Sequence, residues 1–279
     1  MAHKETDKQP ADSVAAEMIW FDSHAHLQDE VYDKDLQSVL DRAEQVGVRQ
    51  ILLPSSSLDD AKRAVALARS DRRLVCAVGC HPHEAHSFNL DEIEPWQTLI
   101  DQKSQTRIVA VGEIGLDYHY DFSPHETQQA VFRRQLEWAS HWDLPVIIHN
   151  REATLDCLRM LDQAAADGFL RTNPGVFHCF SGSVETAKIV LEMGFYLGFD
   201  GPVTFKNARK TIDVVSICPS DRLLIETDSP YLTPEPYRGR RNEPEFLPLI
   251  GSRIAQIRGV SVETIASETT QNACRLFEL

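Results

Sequence analysis

Cysteine is sparse in this chain and carries no pattern. Its six residues (Cys76, Cys80, Cys157, Cys179, Cys218 and Cys274) form no Cys-x-x-Cys pair and lack the density of a disulfide-stapled secreted domain, so they read as reduced, mostly buried thiols. No apolar run approaches the roughly 18 residues of a membrane span, and residues 1–17 carry no hydrophobic signal core, which points to a cytoplasmic protein without membrane partners. Positive charge is also short. With 28 basic against 42 acidic residues the net charge is −14, a balance that repels polyanions over most of the surface and excludes an extended duplex-binding face. A nucleic acid can then be held only locally, through cations that bring positive charge into an acidic cleft. The Gly-x-Gly-x-x-Gly turn of open, doubly wound nucleotide-binding sheets is missing. Nor does any repeat, low-complexity tract or linker divide the chain beyond residue 18, so a flexible tail over 1–17 and one domain over 18–279 are expected.

What is present is regular. A 42% hydrophobic content is ample for one large core. Eight short apolar runs recur: Met18 to Phe21, Gln50 to Leu53, Leu74 to Val78, Ile108 to Val111, Val146 to Ile148, Val176 to Phe177, Phe195 to Phe199 and Leu223 to Ile225. None alternates cleanly with polar residues, as suits strands covered on both faces. Amphipathic segments lie between them, such as Asp33 to Val46, with Leu36, Val39, Leu40, Ala43 and Val46 on one stripe and Gly47 as the stop. Ser57 reads as an N-cap, and Ser123-Pro124-His125-Glu126 as a capped helix start. Eight strands alternating with helices predict a single (β/α)8 TIM barrel.

Residues of metal-ligand type follow nearly every strand. His24 and His26 close the first, Glu113 the fourth, His149 the fifth, His178 the sixth and Asp228 the eighth. In a barrel these positions converge on the C-terminal mouth, where the active site of this fold lies. Two histidines separated by one residue on extended chain point to the same side and can reach one cation. A carboxylate at Glu113 facing the barrel is costly unless a cation or donor pairs with it, and its two oxygens can bridge two metals. Asp228 can touch a metal and accept a proton from water, so Glu113 and Asp228 are the catalytic candidates. Glu226 and Asp22 are equally consistent with orienting and with structural roles, and Cys179 is expected to pack rather than ligate. His81 and His83 after the third strand, and Lys206, can contact a phosphate or a leaving group. Arg238, Arg240 and Arg241 form a local basic cluster suited to phosphate, Arg241 among them, although pairing with Glu235, Glu243 or Glu245 is an equal alternative. Tyr118 or Tyr231 could stack on a terminal base, with packing as the plainer role. Four histidines and two carboxylates suit Zn, Mn, Fe or Ni, and Mg where oxygen dominates.

Several motifs taken together resemble the TatD family of metal-dependent deoxyribonucleases, among the amidohydrolase-like barrels. They are Phe21-Asp22-Ser23-His24-Ala25-His26-Leu27, Gly79-Cys80-His81-Pro82-His83, Gly112-Glu113-Ile114-Gly115-Leu116-Asp117-Tyr118, His178-Cys179-Phe180-Ser181-Gly182, Glu226-Thr227-Asp228-Ser229-Pro230-Tyr231-Leu232 and Arg241-Asn242-Glu243-Pro244, and the similarity spans Ile19 to Leu279. The resemblance implies two divalent metal ions, one held by His24, His26, Glu113 and Asp228 and the other by Glu113, His149 and His178. It also implies 3′-to-5′ trimming of DNA ends, preferably single-stranded, and of RNA. Amide or lactone hydrolysis is the competing activity for such a barrel. A monomer is expected.

Overall fold

The computed structural model describes residues 18–279, so the expected tail over 1–17 lies outside the described residues. Eight parallel strands run in sequence order: β1 (Trp20–Asp22), β2 (Val48–Leu53), β3 (Leu74–Val78), β4 (Ile108–Asp117), β5 (Val146–Arg151), β6 (Gly175–Phe177), β7 (Tyr196–Phe199) and β8 (Leu223–Ile225). The first and last strands close the circle through Ser23 N–H to the Ile225 carbonyl at 3.1 Å and Asp228 N–H to the His24 carbonyl at 2.9 Å. Around this barrel lie α1 (Leu36–Gln45), α2 (Leu58–Ser70), α3 (Glu94–Ile100), α4 (Lys103–Thr106), α5 (His125–Trp142), α6 (Thr154–Ala166), α7 (Val184–Glu192), α8 (Arg209–Ile217), α9 (Leu247–Arg258) and α10 (Val262–Phe277). The architecture is the expected (β/α)8 barrel.

Alternation along each strand sorts side chains into two cores. Leu52, Val75, Ala77, Val109, Ile147, Val176 and Tyr196 fill the barrel interior. Their neighbours Ile51, Leu53, Leu74, Cys76 and Val78 face outward into the helical layer. The last helix, α10, plugs the end of the interior opposite the mouth, where Phe277 stacks on Phe21 with centroids 6.0 Å apart. Because both strand faces are buried, the strands read in sequence as unbroken apolar runs.

Some local expectations are corrected. Ser57 does cap α2, accepting from Asp60 N–H at 3.3 Å. Ser123 does not cap α5: Pro124 holds that position, and the Ser123 hydroxyl instead donates to the His83 carbonyl and accepts from His86 N–H, both at 2.9 Å. The first helix begins at Leu36, after a separate 3-10 turn over Glu30–Tyr32, rather than at Asp33. Strand β4 extends past Val111 to Asp117, and β5 past Ile148 to Arg151. Among the described residues no helix is long and apolar enough to cross a membrane. All six cysteines are free, four of them buried.

Candidate metal centre

The fourth strand sets the geometry of the mouth. Val111 pairs with Val146 and Ile114 with Ile148, so β4 spends one residue more than β5 between these points. This bulge falls on Gly112 and Glu113 and turns the Glu113 carboxylate into the mouth. The interruption demands glycine nearby: a Cβ on Gly115, which has φ +141°, would lie 2.0 Å from the His149 carbonyl oxygen. Two buried glutamines of α5 fix the adjoining loops. Gln135 binds the backbone of Cys80 at both N–H (2.7 Å) and carbonyl (3.0 Å), and Gln128 does the same for Asp117 at 2.8 and 2.9 Å.

Six side chains from five strand ends meet there. The Nε2 atoms of His24 and His26, which bracket an isolated bridge between Ala25 and Ser229, lie 3.2 Å apart. Glu113 Oε2 is 3.3 Å from the first and 3.8 Å from the second, while Asp228 Oδ1 is 3.7 and 3.5 Å from them. The other oxygen of Glu113, Oε1, faces a second group: His178 Nε2 at 2.7 Å and His149 Nδ1 at 2.8 Å, themselves 3.2 Å apart. The His24 and His178 rings stack at 4.0 Å, so the two groups adjoin. Each oxygen of one buried carboxylate therefore serves a different histidine pair.

This donor set fits divalent cations. Bonds of about 2.1 Å in a tetrahedral array set ligand atoms about 3.4 Å apart, which matches the 3.2–3.8 Å spacing of the first group. The second, at 2.7–3.2 Å, is drawn closer by the hydrogen bonds that Glu113 accepts from His149 and His178. Two imidazole nitrogens facing each other at 3.2 Å repel unless a proton or a cation lies between them. Burial, with the neighbouring His178, lowers His24 to about 4, so its ring is neutral and offers a lone pair. Burial opposes charge on His178 too, but the Glu113 carboxylate outweighs it and pushes that ring up to about 10. Burial would raise Glu113, yet the surrounding histidines, His178 first, hold it well below the ordinary carboxylate range.

Asp117 takes part although its type and spacing were not singled out in the sequence. Its Oδ2 accepts from His149 Nε2 at 3.0 Å and from His83 Nε2 at 2.9 Å. That hydrogen bond turns His149 Nδ1 toward Glu113, the carboxylate–histidine arrangement that orients metal ligands. Glu113 and Asp117 lie four residues apart on one strand, a period-two signal that would have exposed it. Glu226 is fully buried and accepts from Cys179 N–H at 2.6 Å and from the Ser23 hydroxyl at 3.0 Å. It sits 3.7 Å from His178 Nδ1, and burial pushes it up to about 8. Asp22 accepts from Thr227 and from His24 N–H, tying β1 to β8 below the mouth. Cys179 lies in a turn with φ +44° rather than on the alternating strand.

His81 points its Nε2 at Glu113 Oε1 from 3.5 Å. Burial lowers this ring to about 4, so it is neutral, and its Nδ1 accepts His83 N–H at 3.1 Å. The proton is therefore on Nε2, which makes His81 a hydrogen-bond donor into the mouth rather than a lone-pair ligand. A cavity of about 450 Å³ opens above these groups, lined by His26, His81, His83, Glu113, His149 and Asp228 among others. The arginine cluster lies elsewhere. Arg241 is bound to Asp35 at 2.6 Å and to Glu243 at 2.7 Å, and Arg238 and Arg240 lie over the rings of Phe205 and Tyr237. Neither Arg241 nor Lys206 lines the cavity. Tyr118 stacks on His125 and hydrogen-bonds Asp156, while Tyr231 lies on the cavity wall, 54% exposed.

A parallel eight-stranded barrel with two adjoining histidine and carboxylate groups at its C-terminal mouth defines a metal-dependent hydrolase. The chain belongs to the TatD family: the family described as TatD related DNase matches residues 21–278. It is 43% identical over 259 residues to YabD of Bacillus subtilis (strain 168), an uncharacterized metal-dependent hydrolase, covering 93% of this chain and 99% of that one. It is 34% identical over 265 residues to the 3′-5′ ssDNA/RNA exonuclease TatD of Cronobacter sakazakii, with 92% and 97% of the two chains covered. The crystal structure of YJJV, a TatD homolog from Escherichia coli K12, superposes with a TM-score of 0.86 at 31% identity, over 93% of this chain and 98% of that one.

Proposed function

We propose that this chain is an exonuclease that shortens single-stranded DNA, and RNA, from the 3′ end with the help of two divalent cations. His24, His26, Glu113 Oε2 and Asp228 would hold one cation, and Glu113 Oε1, His149 and His178 the other. The division of the two Glu113 oxygens between two histidine pairs carries this reading. The name of the Cronobacter relative supports the nucleic-acid substrate. When bound, such paired cations make water nucleophilic at neutral pH and stabilise the attacking and leaving oxygens of an in-line displacement at phosphorus.

The chain's own groups then have distinct tasks. Asp228, whose carboxyl is held low by His26 and the other histidines against its burial, is ionised and can orient water or take its proton. His81, with its proton fixed on Nε2, donates to a phosphate oxygen. Asp117 restrains His149 and His83 together. The roughly 450 Å³ cavity has room for one nucleotide rather than for a duplex end.

End-labelled single-stranded oligonucleotide incubated with protein loaded with each of Zn, Mg, Mn, Fe and Ni tests the proposal. Stepwise shortening is expected, lost in His24→Ala and Asp228→Ala. Absence of cleavage with every metal, together with turnover of amides or lactones, overturns it.

A further inference from the structure

The two rims of the cavity differ in charge and texture. On one, Asp29 and Asp60 line the wall beside Tyr231 and Leu232; on the other stand His83 and Arg151. Beyond this second rim the segment between β4 and α5 presents two stacked rings, Tyr120 and Phe122, with centroids 5.2 Å apart and an interplanar angle of 22°. They are 39% and 59% exposed. The edge of His83 meets both rings, at 5.4 and 4.8 Å, and the Arg151 guanidinium lies over Tyr120 at 4.9 Å. Among the described residues no carboxylate lies within ion-pair distance of Arg151, whereas Arg42, Arg73 and Arg241 are each engaged by carboxylates. An arginine free of carboxylates at the cavity rim of a chain with net charge −14 is placed for an anion from outside.

Building on the exonuclease reading, we propose that Tyr120, Phe122 and Arg151 form a shelf over which the substrate strand leaves the cavity. The base next to the terminal nucleotide stacks on Phe122, and a phosphate beside it meets Arg151. Stacking on an aromatic ring accepts any base, because every base has a π-face, and the guanidinium supplies the anion contact. The acidic rim repels a phosphate path on the opposite side. Bases of a duplex are stacked on one another and cannot reach the shelf, so it selects single strands. The chain of His83, Asp117 and His149 ties the shelf to the site of hydrolysis.

The test is binding of fluorescent single-stranded oligonucleotides by the full metal-loaded chain, followed by anisotropy. The linkages are phosphorothioates that resist cleavage, and the nucleotide next to the terminal one is either intact or abasic. The wild type is expected to bind the abasic strand about tenfold more weakly. Phe122→Ala should bind both strands alike, near the abasic value, and Arg151→Ala should weaken both equally and lower the salt slope by about one. Equal binding of both strands by the wild type, or retention of the intact-strand preference in Phe122→Ala, overturns the shelf. Parallel cleavage assays keep the two questions separate. A base-dependent affinity without cleavage upholds the shelf and removes the exonuclease reading, whereas cleavage without base dependence does the reverse.

Discussion

Replacing Asp117 by alanine should weaken one cation site and spare the other. The carboxylate is almost completely buried, and its Oδ2 touches His149 and His83 but neither His24, His26 nor Asp228. Only the 3.0 Å bond to His149 orients a proposed ligand. A hydrogen bond to a charged group contributes about 1.5–3 kcal/mol. At about 1.4 kcal/mol per decade this predicts a 10- to 150-fold loss of affinity, close to the roughly 10- to 100-fold typical when a group supporting a metal ligand is removed. Isothermal titration with Mn²⁺ should therefore resolve two sites in the wild type, of which Asp117→Ala weakens one by this factor and leaves the other unchanged. Equal weakening of both sites, or of neither, would refute the assignment of His149 to a separate cation.

Other consequences follow from the same geometry. Gly115→Ala forces a Cβ to within 2.0 Å of the His149 carbonyl oxygen at φ +141°, so it should destabilise the fold by about 3 kcal/mol or more, seen as a lower denaturant midpoint. Arg241→Ala removes contacts to Asp35, Glu243 and the Val31 carbonyl, and should cost about 1 kcal/mol of stability in a melting experiment while KM for oligonucleotides stays within about twofold. Cation loading should weaken as pH falls. The Glu113 field holds a proton on His178 up to about 10, so a cation must displace it throughout the neutral range, and apparent affinity measured by titration should rise about tenfold per pH unit for each proton released. A pH-independent affinity would contradict a cation that displaces a proton from His178.

Much of the barrel was legible because its strands are buried on both faces. The runs Leu74–Val78 and Leu223–Ile225 coincide with β3 and β8. The misjudged ends share a cause. In β4 the glycines Gly112 and Gly115 resemble turn punctuation, yet they lie inside the strand, where absence of a Cβ permits the bulge and the approach of the His149 backbone. In β5 the polar His149, Asn150 and Arg151 end the apolar run, although ladder pairing continues to Arg151 because the mouth, not the core, receives those side chains. Convergence of the six ligand-type residues could be anticipated from their positions after strands. Asp117 was within reach of the same argument, because its period-two spacing from Glu113 puts it on the mouth side of β4, whereas the tautomer of His81 depends on a hydrogen-bond partner set by loop geometry. The arginine cluster was legible only as charge. Its pairing with Asp35, more than two hundred residues away, needs the closed barrel.

Anomalous diffraction from crystals of the chain grown with Mn²⁺ or Zn²⁺ tests the proposed pair of cations most directly. Two peaks about 3.5–4 Å apart are predicted, one on each oxygen of Glu113, with His24, His26 and Asp228 around the first and His149 and His178 around the second. A single peak, or density away from Glu113, would contradict it.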